Sequence, residues 1–199
     1  MESNSPAPYT HSASQHRHGL RGSPVRILVA CHRFRASLDA GQVEDAVHNG
    51  IGKAFGDRPL ELRSLLLPDE GIVPTEEAMK GYIPDLNQIL GVPWDAVVTV
   101  EECLDLQCIE KKMTTHIARR AWQLGREAVA LVGAIEEGVE AILVNYGAEV
   151  WSFNLNDDAT VSDTQLTLEV VAERVMRSIF PELKGDEASG GARTRPKSV

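Results

Sequence analysis

Cysteine is scarce in this 199-residue chain: Cys31, Cys103 and Cys108 are its whole complement. Three thiols at irregular spacing are too few for a disulfide framework or a tetrahedral zinc site, and they read as reduced side chains of a cytoplasmic protein. Positive charge is also short. The formal charge is −9, and because the two tails are basic, contributing +1 over residues 1–24 and +2 over 184–199, the body between them carries −12. A body this acidic repels phosphate backbones, which excludes nucleic acid as a general partner. No long apolar run is present, and the first 23 residues, rich in Ser, Pro and His, lack the apolar core of a signal peptide or a membrane span. No membrane partner is expected. Glycine is missing from one further place, the loop Cys31-His32-Arg33-Phe34-Arg35-Ala36-Ser37-Leu38, where a phosphate-gripping turn would need it for close backbone approach.

What remains is a hydrophobic content of 43%, enough for one good-sized core and therefore one domain. Residues 1–24 and 184–199 read as disordered tails, leaving a folded unit over 25–183. His11, His16 and His18 lie in the first tail without a fixed fourth ligand and read as solvated. Inside the unit, strand and helix signals alternate. Val25 to Ala30 is an apolar run with only Arg26 polar, suiting a strand covered on both faces. Val43, Ala46, Val47, Gly50, Ile51 and Ala54 then recur at helical spacing, with Asp39 as N-cap, Gln42 three residues on and Gly56 as the stop. Further strands are predicted at 60–67, 96–100, 128–132 and 149–153. Helices are predicted from Met113 to Leu124, from Gly138 to Tyr146 and along the stripe Leu168, Val171, Ala172, Val175 and Ile179, with a short linking helix around Glu76 to Leu90. The alternation predicts an α/β fold: a single Rossmann-like domain, a mostly parallel sheet of about five strands with helices on both faces. Ligands of such sheets sit beyond the carboxyl ends of the strands, so the loops 31–38, 68–75, 99–112 and 133–138 should be neighbours.

The first of these loops aims two arginines and a serine at a helix mouth, as an anion site does. Arg35 and Ser37 could bind a phosphate or carboxylate there; equally, Ser37 could cap the turn and Arg35 be solvated. Glu101 and Asp105 could hold Mg²⁺ between them as paired carboxylates near a strand end, or be ordinary surface acids. Lys112, beside Lys111, reads as the exposed start of a helix, and His32 as a solvent-facing loop residue able to titrate near neutrality. Trp94, Trp122 and Trp151 read as packing residues.

Three signatures in order resemble the bacterial glycerate kinase family. The family opens with a strand, then Pro-Asp-Ser-Phe-Lys-Gly-Ser-Leu, then a helix; this chain keeps Phe34, Ser37 and Leu38, has Arg35 for the lysine, and places Cys31, His32, Arg33 and Ala36 at the Pro, Asp, Ser and Gly. The second signature, Ala-Asp-Gly-Gly-Glu-Gly-Thr, falls on residues 69–75, where Gly71 and Thr75 are retained and Glu70 takes the aspartate's place. The third resembles Asp-Leu-Val-Ile-Thr-Gly-Glu-Gly-Arg-Leu-Asp-Ala-Gln-Thr: Thr99, Glu101, Leu104, Asp105 and Gln107 are retained, both glycines are replaced by Val100 and Glu102, and Lys112 matches a later lysine.

The resemblance covers about residues 25–180 and implies an ATP- and Mg²⁺-dependent phosphorylation of glycerate. It implies catalytic roles for Glu101, Asp105 and Lys112, with metal at Glu101 and Asp105. Substrate or phosphate contacts are implied at Arg35, Ser37, Glu70, Gly71, Thr99 and Gln107. The family's glycine-rich segment between its second and third signatures has no counterpart here, so the chain resembles a degenerate member lacking the inserted middle domain. Phosphoryl transfer rests on positioning, charge neutralisation and exclusion of water, all weakened in a cleft with one wall. Three functional classes therefore stand side by side. One is a glycerate kinase using ATP and Mg²⁺. The second is a silent relative that needs no cofactor and binds a small glycerate-like anion or nucleotide, or acts as a regulatory subunit. The third is a scaffold whose patch Tyr82, Ile83, Leu86, Ile89, Leu90 and Trp94 meets a second copy or another chain.

Overall fold

The computed structural model describes residues 23–34, 38–68, 81–107, 109–153 and 159–185. Arg35, Ser37, Glu70 and Gly71, and most of the linking helix expected around Glu76, lie outside that set.

Five strands form one parallel sheet: β1 Val25–Cys31, β2 Leu60–Leu66, β3 Ala96–Leu104, β4 Glu127–Ile135 and β5 Ala148–Ser152. Their order is β2-β1-β3-β4-β5, a doubly wound arrangement in which the chain leaves β1 to one side, crosses back and continues to the other. β1 is therefore flanked by β2 through Val25↔Leu60 to Cys31↔Leu66 and by β3 through Ile27↔Ala96 to Cys31↔Val100. Every β1 side chain from Ile27 to Cys31 is fully buried, as a central strand covered above and below requires. Arg26, the polar exception, lies at the amino end. Its guanidinium pairs with Glu61 at 2.8 Å and lies 5.3 Å from the centre of the Trp94 ring.

Helix α1 (Ala40–Phe55) begins with a reciprocal capping box: Asp39 accepts from the Gln42 N–H and Gln42 from the Asp39 N–H, both at 2.9 Å. Gly56, at φ +57°, stops it. Its stripe shares one face of the sheet with α5 (Val161–Ile179), which is capped in the same way by Thr160 and Asp163. The two helices cross at Gly50, where a Cβ would lie 2.2 Å from the Glu169 carbonyl oxygen; only a hydrogen fits there.

Helices α2 (Leu86–Gly91), α3 (Met113–Gln123) and α4 (Val139–Asn145) cover the opposite face. The segment expected to expose an apolar patch does the reverse, because Ile83, Leu86, Leu90 and Trp94 fold onto Leu28, Ala30 and Val97 and are at most 6% exposed. Tyr82 alone of that set is strongly exposed. Trp94 satisfies its indole N–H on the Ile89 carbonyl at 2.7 Å, and Trp122 lies against Gly147, whose φ of +78° leaves no room or conformation for a side chain. Among the described residues, no helix is long and apolar enough to cross a membrane.

Candidate functional site

The strand order reverses between β1 and β3, and at such a switch point the loops leaving neighbouring strands diverge and open a crevice. His32 follows β1 there and Glu101 lies near the end of β3. Both have the parity of Leu28, Ala30 and Val97, which places them on the α3 side of the sheet. Their side chains meet: His32 Nε2 is 2.8 Å from Glu101 Oε1. Lys112 Nζ donates to the same oxygen at 2.9 Å, and Thr114 Oγ1 donates to Oε2 at 2.9 Å. Lys112 is the N-cap of α3 and Thr114 lies in its first turn, so the carboxylate also rests in the positive field of a helix N-terminus.

The cluster is sealed to different depths. The side chains of Glu101 and His32 are 2% and 6% exposed, whereas that of Lys112 is 12% exposed. His32 Nδ1 is 2.7 Å from the Arg33 carbonyl oxygen. With one ring nitrogen facing a carbonyl and the other a carboxylate, both must donate, which defines an imidazolium beside an ionised Glu101. The electrostatics agree. Burial pulls the His32 pKa down, but its hydrogen bond to Glu101, that carboxylate's charge and the Arg33 carbonyl outweigh burial and the opposing Lys112, so the value is raised. Burial pushes the Glu101 carboxyl up, and the His32 bond and charge with those of Lys112 more than reverse it, leaving it lowered.

Two expectations need correction here. His32 is not a solvent-facing loop residue, because its partner 69 residues away draws it under the loop. Lys112 is not an exposed helix start, because its ammonium is folded back onto Glu101. Val100, which stands where the resemblance has a glycine, points to the α1 side of the sheet and is fully buried in that core.

The remaining described candidates are dispersed. Thr99, 2% exposed, donates within the sheet to the Val129 carbonyl at 3.3 Å. Asp105, half-buried just past β3, accepts the Gln107 N–H at 2.8 Å, making a local turn in which Gln107 itself is exposed. That loop is tied to the end of β4 by the Leu106 N–H on Glu136 at 2.7 Å. Sequence reading missed His32 and Thr114 as members of the cluster. The signal was present only as an alternation: Glu101 falls on the same strand face as Val97 and Thr99, and so had to find a buried partner.

A magnesium ion does not fit this set. Both Glu101 oxygens already accept hydrogen bonds, two of the donors are cations, and a divalent ion would have to displace them. Among the described residues, no group of three or more His, Cys, Asp or Glu side chains converges as a metal site. Of the described thiols, burial and nearby Glu44 push Cys31 up to about 12, and Cys103, though exposed, is also raised, chiefly by desolvation.

Comparison with known proteins adds the following. No curated protein matches the chain. Among solved structures, it is similar to azoreductase AzrA, with a TM-score of 0.42 and 14% identity over 76% of this chain and 99% of that one. The family model for the glycerate kinase family matches residues 84–180, a partial span of the kind a shortened member gives. It begins before α2 and ends after α5, so it takes in Glu101, Asp105, Gln107, Lys112 and Thr114 but not β1 or its loop. Through that stretch, the chain is similar to the glycerate kinase family.

Proposed function

We propose that this chain is a non-phosphorylating relative of the glycerate kinases that binds a small anionic, glycerate-like metabolite in the crevice between β1 and β3. One observation carries the reading: the carboxylate of Glu101, the acid the family resemblance assigns to metal and catalysis, is held by His32, Lys112 and Thr114. A carboxylate so occupied is not available to position a metal or accept a substrate proton, and phosphoryl transfer has little else to draw on. The same three charges, one negative and two positive, leave the crevice with a positive surplus suited to a carboxylate or phosphate group.

The test pairs catalysis with binding on the full chain. A coupled assay with ATP, Mg²⁺ and D-glycerate is expected to show no phosphoglycerate above the protein-free background. D-glycerate or phosphoglycerate is expected to raise the melting temperature. At a hundredfold excess over Kd the linkage is about 2.7 kcal/mol, or roughly 5–10 °C for a chain of this size. Turnover in the first assay, or no shift in the second, overturns the reading.

A further inference from the structure

We propose that His32 and Lys112 together take the place of a divalent cation, making the crevice a metal-free receptor for one carboxylate or one phosphate group. The inference rests on the reading above and specifies how the anion is held.

Two cations converge on a single oxygen, Glu101 Oε1, at 2.8 and 2.9 Å. Their combined formal charge is that of a magnesium ion, and Glu101 offsets half of it. The remaining unit has no partner within the cluster, and a surplus charge removed from water is costly until an anion reaches it. Depth assigns the roles. Lys112 is the most exposed of the three side chains, and among the described residues only one of its three N–H donors is used, so its ammonium is the contact for the ligand. His32, sealed beneath, is a positioning residue: it holds Glu101 in place and neutralises it, which frees the lysine charge to act outward.

One further feature bears on the ligand: Glu102 and Asp105 lie close enough to act with Glu101 and Lys112 on nearby Cys103, so acids adjoin the cluster. The titratable and charged groups around His32 are Glu101 on β3, Lys112 at the head of α3 and Arg33 on its own loop. This balance admits a singly charged carboxylate or one phosphate and repels a triphosphate chain.

The deciding measurement is calorimetric titration of the wild-type chain with D-glycerate and with inorganic phosphate, once in EDTA and once in excess Mg²⁺. Equal affinity in the two buffers is expected. Lys112→Gln is expected to weaken binding at least about tenfold in EDTA, as loss of a charge-assisted contact does. His32→Asp, which removes one built-in cation and adds a second carboxylate, is expected to abolish binding in EDTA and restore it with Mn²⁺. Binding by the wild type that appears only with Mg²⁺, or full affinity in Lys112→Gln, overturns the substitution of side chains for metal while leaving the anion-binding reading intact. No binding in either buffer by a chain that is folded by circular dichroism overturns both. Should His32→Asp fail to fold, the wild-type comparison still decides.

Discussion

Replacing His32 with Gln separates the ionic part of the cluster from its shape, because the amide can still donate a neutral hydrogen bond to Glu101. Truncating one partner of a buried ion pair costs about 3–5 kcal/mol, but Glu101 retains Lys112 and Thr114 in the variant, so a loss of about 2–3 kcal/mol is expected. For a chain of this length that is roughly 4–12 °C in Tm. The loss must depend on pH, and its direction follows from the two shifts. His32 is raised above its usual 6.5, so its contribution is fully present below that value and disappears as pH rises through the folded-state pKa. Glu101 is lowered below its usual 4.5, so its contribution is present above 4.5 and is lost as pH falls through its folded-state value. The pair therefore stabilises most between these limits. Urea unfolding followed by circular dichroism over a pH series upward from about 5.5 should show the full difference between wild type and His32→Gln at the low end and a shrinking one as pH rises through the folded-state value. A difference that stays constant through the whole series, or that grows with pH, would refute the imidazolium and with it the charge count of the cluster.

Two further outcomes concern the frame around the site. Val100→Gly removes a fully buried side chain from the centre of β3 and should cost about 3–4 kcal/mol in urea unfolding, from lost packing and added strand flexibility. It should bring no gain in ATP affinity by calorimetry, since the deleted methyls face α1. Gly50→Ala places a carbon 2.2 Å from a backbone oxygen and should destabilise by about 1–3 kcal/mol in the same assay by forcing α1 and α5 apart; an unchanged midpoint would mean the helices do not touch there.

The fold was legible wherever its signal was local. Asp39, Gln42 and Gly56 marked both ends of α1 because capping is decided within a turn, and all five strands were visible as apolar runs. The end of β3 was not. The apolar run ends at Val100 and acids follow, yet the strand continues to Leu104, since Glu101 is neutralised by residues from two other elements. The same non-local pairing hid the site: nothing in the spacing of His32, Glu101 and Lys112 states that β1 and β3 are neighbours, a fact of topology rather than pattern. The segment from Ile83 to Trp94 misled for a related reason. Its apolar residues suggested an uncovered surface, whereas they are what covers the sheet.

The embrace of α1 by α5 has a consequence for how the protein is made. Lys53 and Glu169, which join the two helices, are 116 residues apart in the chain, so at ribosomal rates the first helix waits about 6–23 s for its cover to be synthesised. During that interval the stripe from Val43 to Phe55 is bare on a nascent polypeptide. Passage through the cell's folding machinery, rather than strength of the finished structure, is thus where this architecture is most exposed to chaperones, to proteases and to self-association.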